Sequence, residues 1–233
     1  MSPVTQEDEA DFSGVFRPES RPPCQLYLIS PPAFDLATHA EALKAALGAG
    51  GPVAAYQLRL KTVDDSEILR AAEALLPICA SNDIAFILND RMDLAKACGA
   101  DGVHLGQSDG DPRAARALLG PEAQIGVTCH ASRHLAMEAG EASANYVAFG
   151  AFFSSMTKTV SHMAEPEILN WWTTLSPIPC VAIGGISIAN CRLLVDAGAD
   201  FLAVLSAVWL SENPAAAVLA FQRSEERRVG KEC

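Results

Sequence analysis

The feature that most constrains the fold is a repeat of short apolar runs, each ending abruptly in polar residues and followed by an Ala/Leu-rich helical pattern. Near-continuous apolar runs are typical of parallel strands buried on both faces. Eight such runs occur, at 24–30, 53–60, 84–88, 102–105, 124–129, 146–152, 180–183 and 201–205. Eight strand–helix units joined by right-handed crossovers predict an α/β fold, a single (β/α)8 TIM barrel. A doubly wound open sheet is the alternative, but it needs fewer strands, and no Gly-x-Gly-x-x-Gly follows the first one.

The length of 233 residues suits one barrel domain, which we assign to residues 23–222. Residues 1–22 are acidic and Pro-rich with few large apolar groups, which predicts a disordered leader. Residues 223–233 are dense in charge and have no apolar face. We expect them to form an unstructured tail, and we suspect that they are not native.

Composition excludes several classes of partner. The net charge of −11 argues against nonspecific binding to nucleic acid. No apolar run approaches the length of a membrane span, so no membrane partner is expected. The seven cysteines form no Cys-x-x-Cys pair, which indicates reduced thiols in a cytoplasmic protein. A homo-oligomer stays possible on these grounds.

Two strand ends carry acids that suit a metal. Asn89 and Asp90 end the third strand, and Asp109 follows the fourth. The carboxyl ends of barrel strands open into the active site, and paired carboxylates suit Mg²⁺. The sequence therefore predicts a Mg²⁺ site at Asp90 and Asp109. The alternative for Asp90 is a helix N-cap, and Asp93 is better explained as an acid at the start of a helix.

The second strand ends in cations. Alternation along Gln57–Lys61 sends Gln57, Arg59 and Lys61 to the barrel lumen and the two leucines between them to the opposite face. Unpaired cations in a lumen are costly, so an anionic ligand or neighbouring acids are expected there. A structural layer of salt bridges is the alternative.

The remaining strand ends suggest anion binding. His104 should point inward, and Thr128 ends the fifth strand. After the sixth strand come Ser155, Met156, Thr157 and Lys158, whose hydroxyls and single cation suit a pyrophosphate and whose position permits a lid. Gly185 and the Leu205-Ser206 pair each precede a helix, at the usual phosphate seat of this barrel. Two phosphate-binding regions suggest two phosphorylated substrates, one of them a diphosphate.

Seven motifs in this order resemble the thiamine-phosphate synthase family over residues 24 to 210. They are Q-L-R-L-K, I-L-N-D-R-M-D-L-A, A-D-G-V-H-L-G-Q-S-D, I-G-V-T-C-H, S-M-T-K, A-I-G-G-I and A-V-L-S-A. The resemblance implies a transferase of thiamine biosynthesis. Such an enzyme condenses hydroxymethylpyrimidine diphosphate with thiazole phosphate, giving thiamine phosphate and pyrophosphate. Pyrophosphate leaves first, and the thiazole nitrogen traps the pyrimidine cation.

The resemblance also implies roles for particular residues. Asp90 and Asp109 would hold Mg²⁺, and Arg59, Lys158 and Thr128 would be catalytic. The pyrimidine diphosphate would be bound by Gln57, Leu58, Arg59, Leu60, Lys61, Asn89, Thr128 and Lys158. His104 is also expected to be substrate-binding. The thiazole phosphate would be bound by Ser155, Met156, Thr157, Gly185, Leu205 and Ser206.

The chain departs from the family pattern at Leu60, where the family usually has an acid. Thr128 and Ser155 exchange one hydroxyl residue for another, and Ser154 replaces a usual proline. These departures leave two alternatives. A thiazole tautomerase-like isomerase would use His104 or His130 to move a proton. A noncatalytic barrel that binds thiamine precursors is the other.

Overall fold

A computed structural model describes residues 21–154 and 163–226 of the chain. Eight parallel strands, paired in sequence order with β8 returning to β1, form a closed barrel. The strands are β1 (Gln25–Ile29), β2 (Val53–Leu58), β3 (Ala85–Asn89), β4 (Gly102–Leu105), β5 (Gln124–His130), β6 (Tyr146–Gly150), β7 (Cys180–Ile183) and β8 (Phe201–Val204). The predicted (β/α)8 barrel is confirmed, and the open-sheet alternative is wrong because the sheet closes on itself.

Helices follow the strands. They are α1 (Leu36–Gly48), α2 (Asp65–Ala80), α3 (Met92–Cys98), α4 (Pro112–Leu119), α5 (Arg133–Glu141), α6 (Glu167–Leu175), α7 (Cys191–Asp196), α8 (Ser206–Trp209) and α9 (Pro214–Glu226). Polar side chains cap several helix starts: Asp35, Asp64 and Ser132 each accept a hydrogen bond from a backbone N–H three residues on. The cap of α2 is therefore Asp64. No helix in the described ranges is both long enough and apolar enough to cross a membrane.

Strand alternation divides the apolar residues into two layers. The larger cluster lies between the barrel and its helices and includes Leu28, Tyr56, Leu58 and Phe86. The smaller one fills the lumen with Tyr27, Ile29, Ala55, Ile87, Tyr146, Ala148, Val181 and Ala203. Two buried polar residues lie near this inner layer. Gln57 is on β2, which contributes Ala55 to the layer, and His104 is on β4, next to the strand that contributes Ile87. The lumen is thus a packed core whose upper part becomes polar.

The strand boundaries lie close to those expected from sequence, with a few differences elsewhere. The four-residue α8 was not anticipated, since it is too short to show a helical period. Helix α9 runs to Glu226, past the expected end of the domain at 222. Arg21, placed in the expected leader, pairs with Asp200 at 2.7 Å. The rest of that leader up to residue 20, and the tail beyond 226, lie outside the described residues.

Candidate active site

The acids at the ends of β3 and β4 lie together. Asp90 follows β3 with a positive φ of 65°, a left-handed conformation that is uncommon for a residue with a side chain. Its backbone N–H donates to the carbonyl of His104 at 2.8 Å, so β4 fixes the turn. Asp90 is not the helix cap considered above, because α3 begins at Met92 and its capping residue is Arg91. Its carboxylate is left available for another role.

Asp90 and Asp109 lie close enough for their side chains to interact. Burial raises the pKa of Asp90, and the charge of Asp109 raises it further. Lys61, with Nζ 3.6 Å from Oδ2 of Asp90, and Arg59 oppose that rise. The Asp109 side chain lies over Gly106, where a Cβ would overlap its Oδ2. A glycine is therefore needed before this turn for the carboxylate to reach its position.

The donor set fits a hard divalent cation. The described residues contain no group of three or more His, Cys, Asp or Glu side chains that could enclose a metal. Mg²⁺ does not need one, since it commonly binds through one or two carboxylates and takes water and substrate phosphate as its other ligands. Two adjacent carboxylates that repel each other, one with a raised pKa, gain from such an ion. The residues present thus suit Mg²⁺ better than a structural zinc.

The end of β2 has the orientation that alternation predicts. Gln57 is buried, and its Nε2 is a buried side-chain donor with no hydrogen-bond partner in the described structure. An unpaired buried amide costs free energy, which a ligand acceptor would recover. Leu58 and Leu60 belong to or pack against the outer apolar layer. Those two leucines can reach a ligand only through their backbone, and the acid missing at Leu60 would not face the lumen.

The backbone of Arg59 is held by a hydrogen bond to the end of β1. Its backbone N–H donates to Oγ of Ser30 at 2.8 Å, and the Ser30 N–H donates to the carbonyl of Gln57 at 2.9 Å. Ser30 is fully buried at the end of β1. The link fixes the direction in which β2 leaves the barrel, and with it the position of the two cations.

His104 points inward and makes two hydrogen bonds. Its Nδ1 lies 3.1 Å from Oη of Tyr146, and its Nε2 lies 2.8 Å from Oγ1 of Thr128. Burial, and next the charge of Arg59, lowers the pKa of His104 to about 4. The imidazole is therefore neutral near pH 7. Gln107 holds Thr128 from the other side, donating from Nε2 to its carbonyl at 2.5 Å.

One cation and two acids at the starts of α2 and α3 form a separate surface cluster. Arg91 pairs with Asp65 at 2.6 Å and with Asp93 at 2.7 Å. Hydrogen bonds from Arg91 lower the pKa values of both acids. This agrees with the assignment of Asp93 to the helix start and leaves it out of the metal pair.

The loops after β7 and β8 form the second candidate region. Gly185 has φ 61°, and a Cβ there would overlap the backbone carbonyls of Phe153 and Ser154. Asn190 pins this loop by donating from Nδ2 to the Gly185 carbonyl at 3.0 Å and accepting from the Ser187 N–H at 2.8 Å. Leu205 precedes α8, and Ser206 is its first residue. Ser155, Met156, Thr157 and Lys158 lie outside the described residues.

Several residues around the site were not singled out by their sequence context. Ser30, Gln107, Tyr146 and Asn190 act through contacts with residues on other strands or across a loop. Of these four, Gln107 lies inside one of the seven family motifs, A-D-G-V-H-L-G-Q-S-D. Asn190, three residues after Ser187, could have been read as a loop-closing amide.

A closed parallel barrel with acids, cations and glycine turns at its strand ends places this chain among the (β/α)8-barrel enzymes. A family model described as thiamine monophosphate synthase matches residues 26–208. The chain belongs to the thiamine monophosphate synthase family.

Individual relatives agree. A thiamine-phosphate synthase of Rhodospirillum centenum is 58% identical over 201 residues, covering 86% of this chain and 97% of the relative. One of Erythrobacter litoralis is 58% identical over 207 residues, with 87% and 96% covered. A solved thiamine phosphate pyrophosphorylase from Pyrococcus furiosus superimposes with a TM-score of 0.76 at 30% identity, covering 87% of this chain and 96% of that one. The predicted activity, that of a transferase making thiamine phosphate, is confirmed, and neither the isomerase nor the noncatalytic alternative gains support.

Proposed function

We propose that the ends of β2 to β5 bind hydroxymethylpyrimidine diphosphate, with Mg²⁺ held by Asp90 and Asp109, and that the ends of β7 and β8 bind thiazole phosphate. The observation that carries this assignment is the close Asp90–Asp109 pair with Lys61 and Arg59 acting on it. Two carboxylates and two cations lie at the carboxyl ends of neighbouring strands. They match a magnesium–diphosphate ligand in both charge and chemistry.

The reaction mainly requires stabilisation of the negative charge on the departing pyrophosphate. Mg²⁺, when bound, would neutralise part of that charge. Arg59 and Lys61 supply fixed positive charge from β2, and we assign Lys158 to the same task from its place in the sequence. Gln57 offers its unpaired Nε2 to the substrate, and Asn89 ends the neighbouring strand. Thr128 contacts the substrate through its hydroxyl.

His104 is not assigned to proton transfer. Its pKa of about 4 leaves it unprotonated at neutral pH, and both ring nitrogens are already hydrogen-bonded. A neutral imidazole whose two nitrogens are both hydrogen-bonded is better suited to orienting Thr128 than to acid–base catalysis. This agrees with a mechanism in which no general base is needed.

The thiazole phosphate is assigned to Gly185, Leu205 and Ser206, together with Ser155, Met156 and Thr157. The support is the Asn190-pinned glycine loop beside the start of α8. We further propose that the partners are small phosphorylated molecules, with no nucleic acid or membrane involved. The acidic balance and the thiols support a cytoplasmic location.

The metal assignment is tested by comparing Asp109→Ala with Asp93→Ala. Loss of Asp109 removes half of the carboxylate pair, so we expect kcat/KM for pyrimidine diphosphate to fall about 100-fold or more, with a higher Mg²⁺ requirement. Asp93→Ala is the matched control, because that acid lies nearby but pairs with Arg91 on the surface. Thiamine phosphate formation is measured against Mg²⁺ concentration, and circular dichroism checks the fold.

Equal activity and equal Mg²⁺ dependence in the two variants would remove Asp109 from the metal site. A deficit in Asp109→Ala that appears only as a raised KM for thiazole phosphate would move this carboxylate to the other substrate.

A further inference from the structure

The lumen contains a continuous row of four hydrogen-bonding side chains, Tyr27, Tyr146, His104 and Thr128, which we call the lumen array. Oη of Tyr27 lies 2.8 Å from Oη of Tyr146. Tyr146 then meets Nδ1 of His104 at 3.1 Å, and Nε2 of His104 meets Thr128 at 2.8 Å. Both tyrosines are almost completely buried. The array therefore begins deep in the barrel and ends at a proposed substrate contact.

The protons of this array have one arrangement that satisfies every donor. Neutral histidine carries one N–H, so one ring nitrogen donates and the other accepts. If Tyr27 donates to Tyr146 and Tyr146 donates to Nδ1, then the proton of His104 is on Nε2 and is donated to Oγ1 of Thr128. Each buried O–H and N–H then has an acceptor.

The opposite arrangement leaves a donor unpaired. If Nδ1 carries the proton and donates to Tyr146, the Tyr146 hydroxyl must turn to Tyr27. The Tyr27 hydroxyl then has no acceptor among the described residues, since Tyr146 is its one hydrogen-bond partner there. An unsatisfied buried donor is destabilising. The first arrangement is therefore preferred.

Burial raises the pKa of Tyr27 and of Tyr146. Both hydroxyls therefore keep their protons at neutral pH, and each is a buried donor that needs an acceptor.

We propose that Tyr146 is a positioning residue that sets the direction of the lumen array, so that Thr128 receives a hydrogen bond from His104 and presents its own hydroxyl proton to the substrate. The substrate atom that Thr128 meets is then an acceptor, which we assign to an oxygen of the diphosphate. This last step rests on the proposed function of the site, whereas the direction of the array does not.

The neighbouring structure keeps the array in place. Gln107 donates a hydrogen bond to the Thr128 carbonyl. The pairing of β5 with β6 shifts register between Thr128 and His130. A Cβ on Gly126 would overlap the Tyr146 ring, so that glycine gives the ring its space. Thr128 is thus fixed by both its backbone and its side chain.

The direction of the array is measured directly by the tautomer of His104. Long-range proton–nitrogen correlation spectra of ¹⁵N-histidine-labelled enzyme, at neutral pH and without substrate, distinguish a protonated Nε2 from a protonated Nδ1. The chain has five histidines. His104→Gln identifies the signals. We expect a protonated Nε2 and a bare Nδ1 in the wild type.

Tyr146→Phe should weaken that preference and give a mixture of tautomers. Tyr27→Phe should keep Nε2 protonated, because the Tyr146 hydroxyl then has Nδ1 of His104 as its one acceptor among the described residues. Tyr56→Phe is the matched control, since Tyr56 is another buried tyrosine hydrogen-bonded to a histidine, His39, outside the lumen. It should change the signals of His39 and leave those of His104 unchanged. A protonated Nδ1 on His104 in the wild type would overturn the proposal, even if thiamine phosphate synthesis is intact.

The kinetic arm tests the consequence for substrate. Tyr146→Phe and Thr128→Val should lower kcat/KM for pyrimidine diphosphate about tenfold or more, with KM for thiazole phosphate unchanged and with Thr128→Ser close to wild type. Normal kinetics in Tyr146→Phe alongside a mixed tautomer would overturn the positioning role. Full activity of Asp109→Ala would instead count against the proposed function of the site, while the tautomer result would stand.

Discussion

Asp90 combines two conditions that are unfavourable for a carboxylate. It has a left-handed backbone, and its side chain faces Asp109 in a partly buried position. Strained conformations and raised pKa values cluster at functional sites because the fold elsewhere stabilises them. The sequence could place Asp90 at a strand end, but it could not show the backbone conformation that removes it from the helix and turns it to Asp109.

Gly106 provides a test of how closely the Asp109 carboxylate is placed. Gly106→Ala should displace Oδ2 of Asp109 and lower kcat about 10-fold to 100-fold, since outer-shell changes have effects of that size. The melting temperature should change little, because an exposed side chain can move aside. Thiamine phosphate formation and thermal unfolding measure the two effects.

Gly48→Ala is the matched control, because nothing lies within 4 Å of a Cβ at the end of α1. Its kcat should equal that of the wild type. A Gly106→Ala enzyme with full turnover would show that the Asp109 position is not constrained by this glycine.

At the scale of elements, the sequence predicts the barrel well because each strand can be recognised from its own residues. Apolar runs bounded by polar strand ends, with caps such as Asp64, are local signals. The lumen array is not local. Tyr27 and Tyr146 are 119 residues apart and meet only because β1 and β6 face each other across a closed barrel. Contacts of this kind depend on register and closure, which no single segment encodes.

The loop after β7, which contains Gly185 and Ser187, can be tested at the same scale. Asn190→Ala removes both hydrogen bonds that pin the loop from Gly185 to Ser187. We expect the KM for thiazole phosphate to rise about 3-fold to 10-fold, a cost of roughly 1 kcal/mol for a lost hydrogen bond. The KM for pyrimidine diphosphate should not change. Steady-state kinetics with each substrate varied in turn measure both.

Asn213→Ala is a suitable comparison, because Asn213 also accepts a backbone N–H, that of Ala216, but at the start of α9. It should cost about 1 kcal/mol of stability and leave both KM values unchanged. Equal kinetic effects from the two asparagines would mean that Asn190 acts only through overall stability.

The whole molecule should lose stability as the pH falls below neutral. Burial lowers the pKa values of His39 and His104 to about 4 in the folded protein. Because the unfolded histidines titrate near 6.5, each contributes stability above that pH that is lost as the pH falls toward 4, by about 2–3 kcal/mol each. The raised pKa of Asp90 acts in the opposite direction. Urea unfolding between pH 7 and pH 4.5 measures the sum.

His39→Gln should reduce the slope of stability against pH, whatever its effect on stability at pH 7. His39 lies between Phe34, Tyr56 and Trp209, with 5% of its surface exposed. His134→Gln is the control, because the His134 side chain is 80% exposed. Identical slopes in wild type and His39→Gln would contradict the assignment.

The pairing of β1 with both β2 and β8 has a consequence for how the protein behaves at high concentration. In an open sheet the outermost strands offer rows of unpaired amides on which other chains can add strands. Among the strands that the structure describes, each has a partner on both sides. The barrel that the described residues form therefore offers no template for growth by strand addition. On slow heating we expect aggregates to form only after the barrel opens, so turbidity should follow the loss of secondary structure.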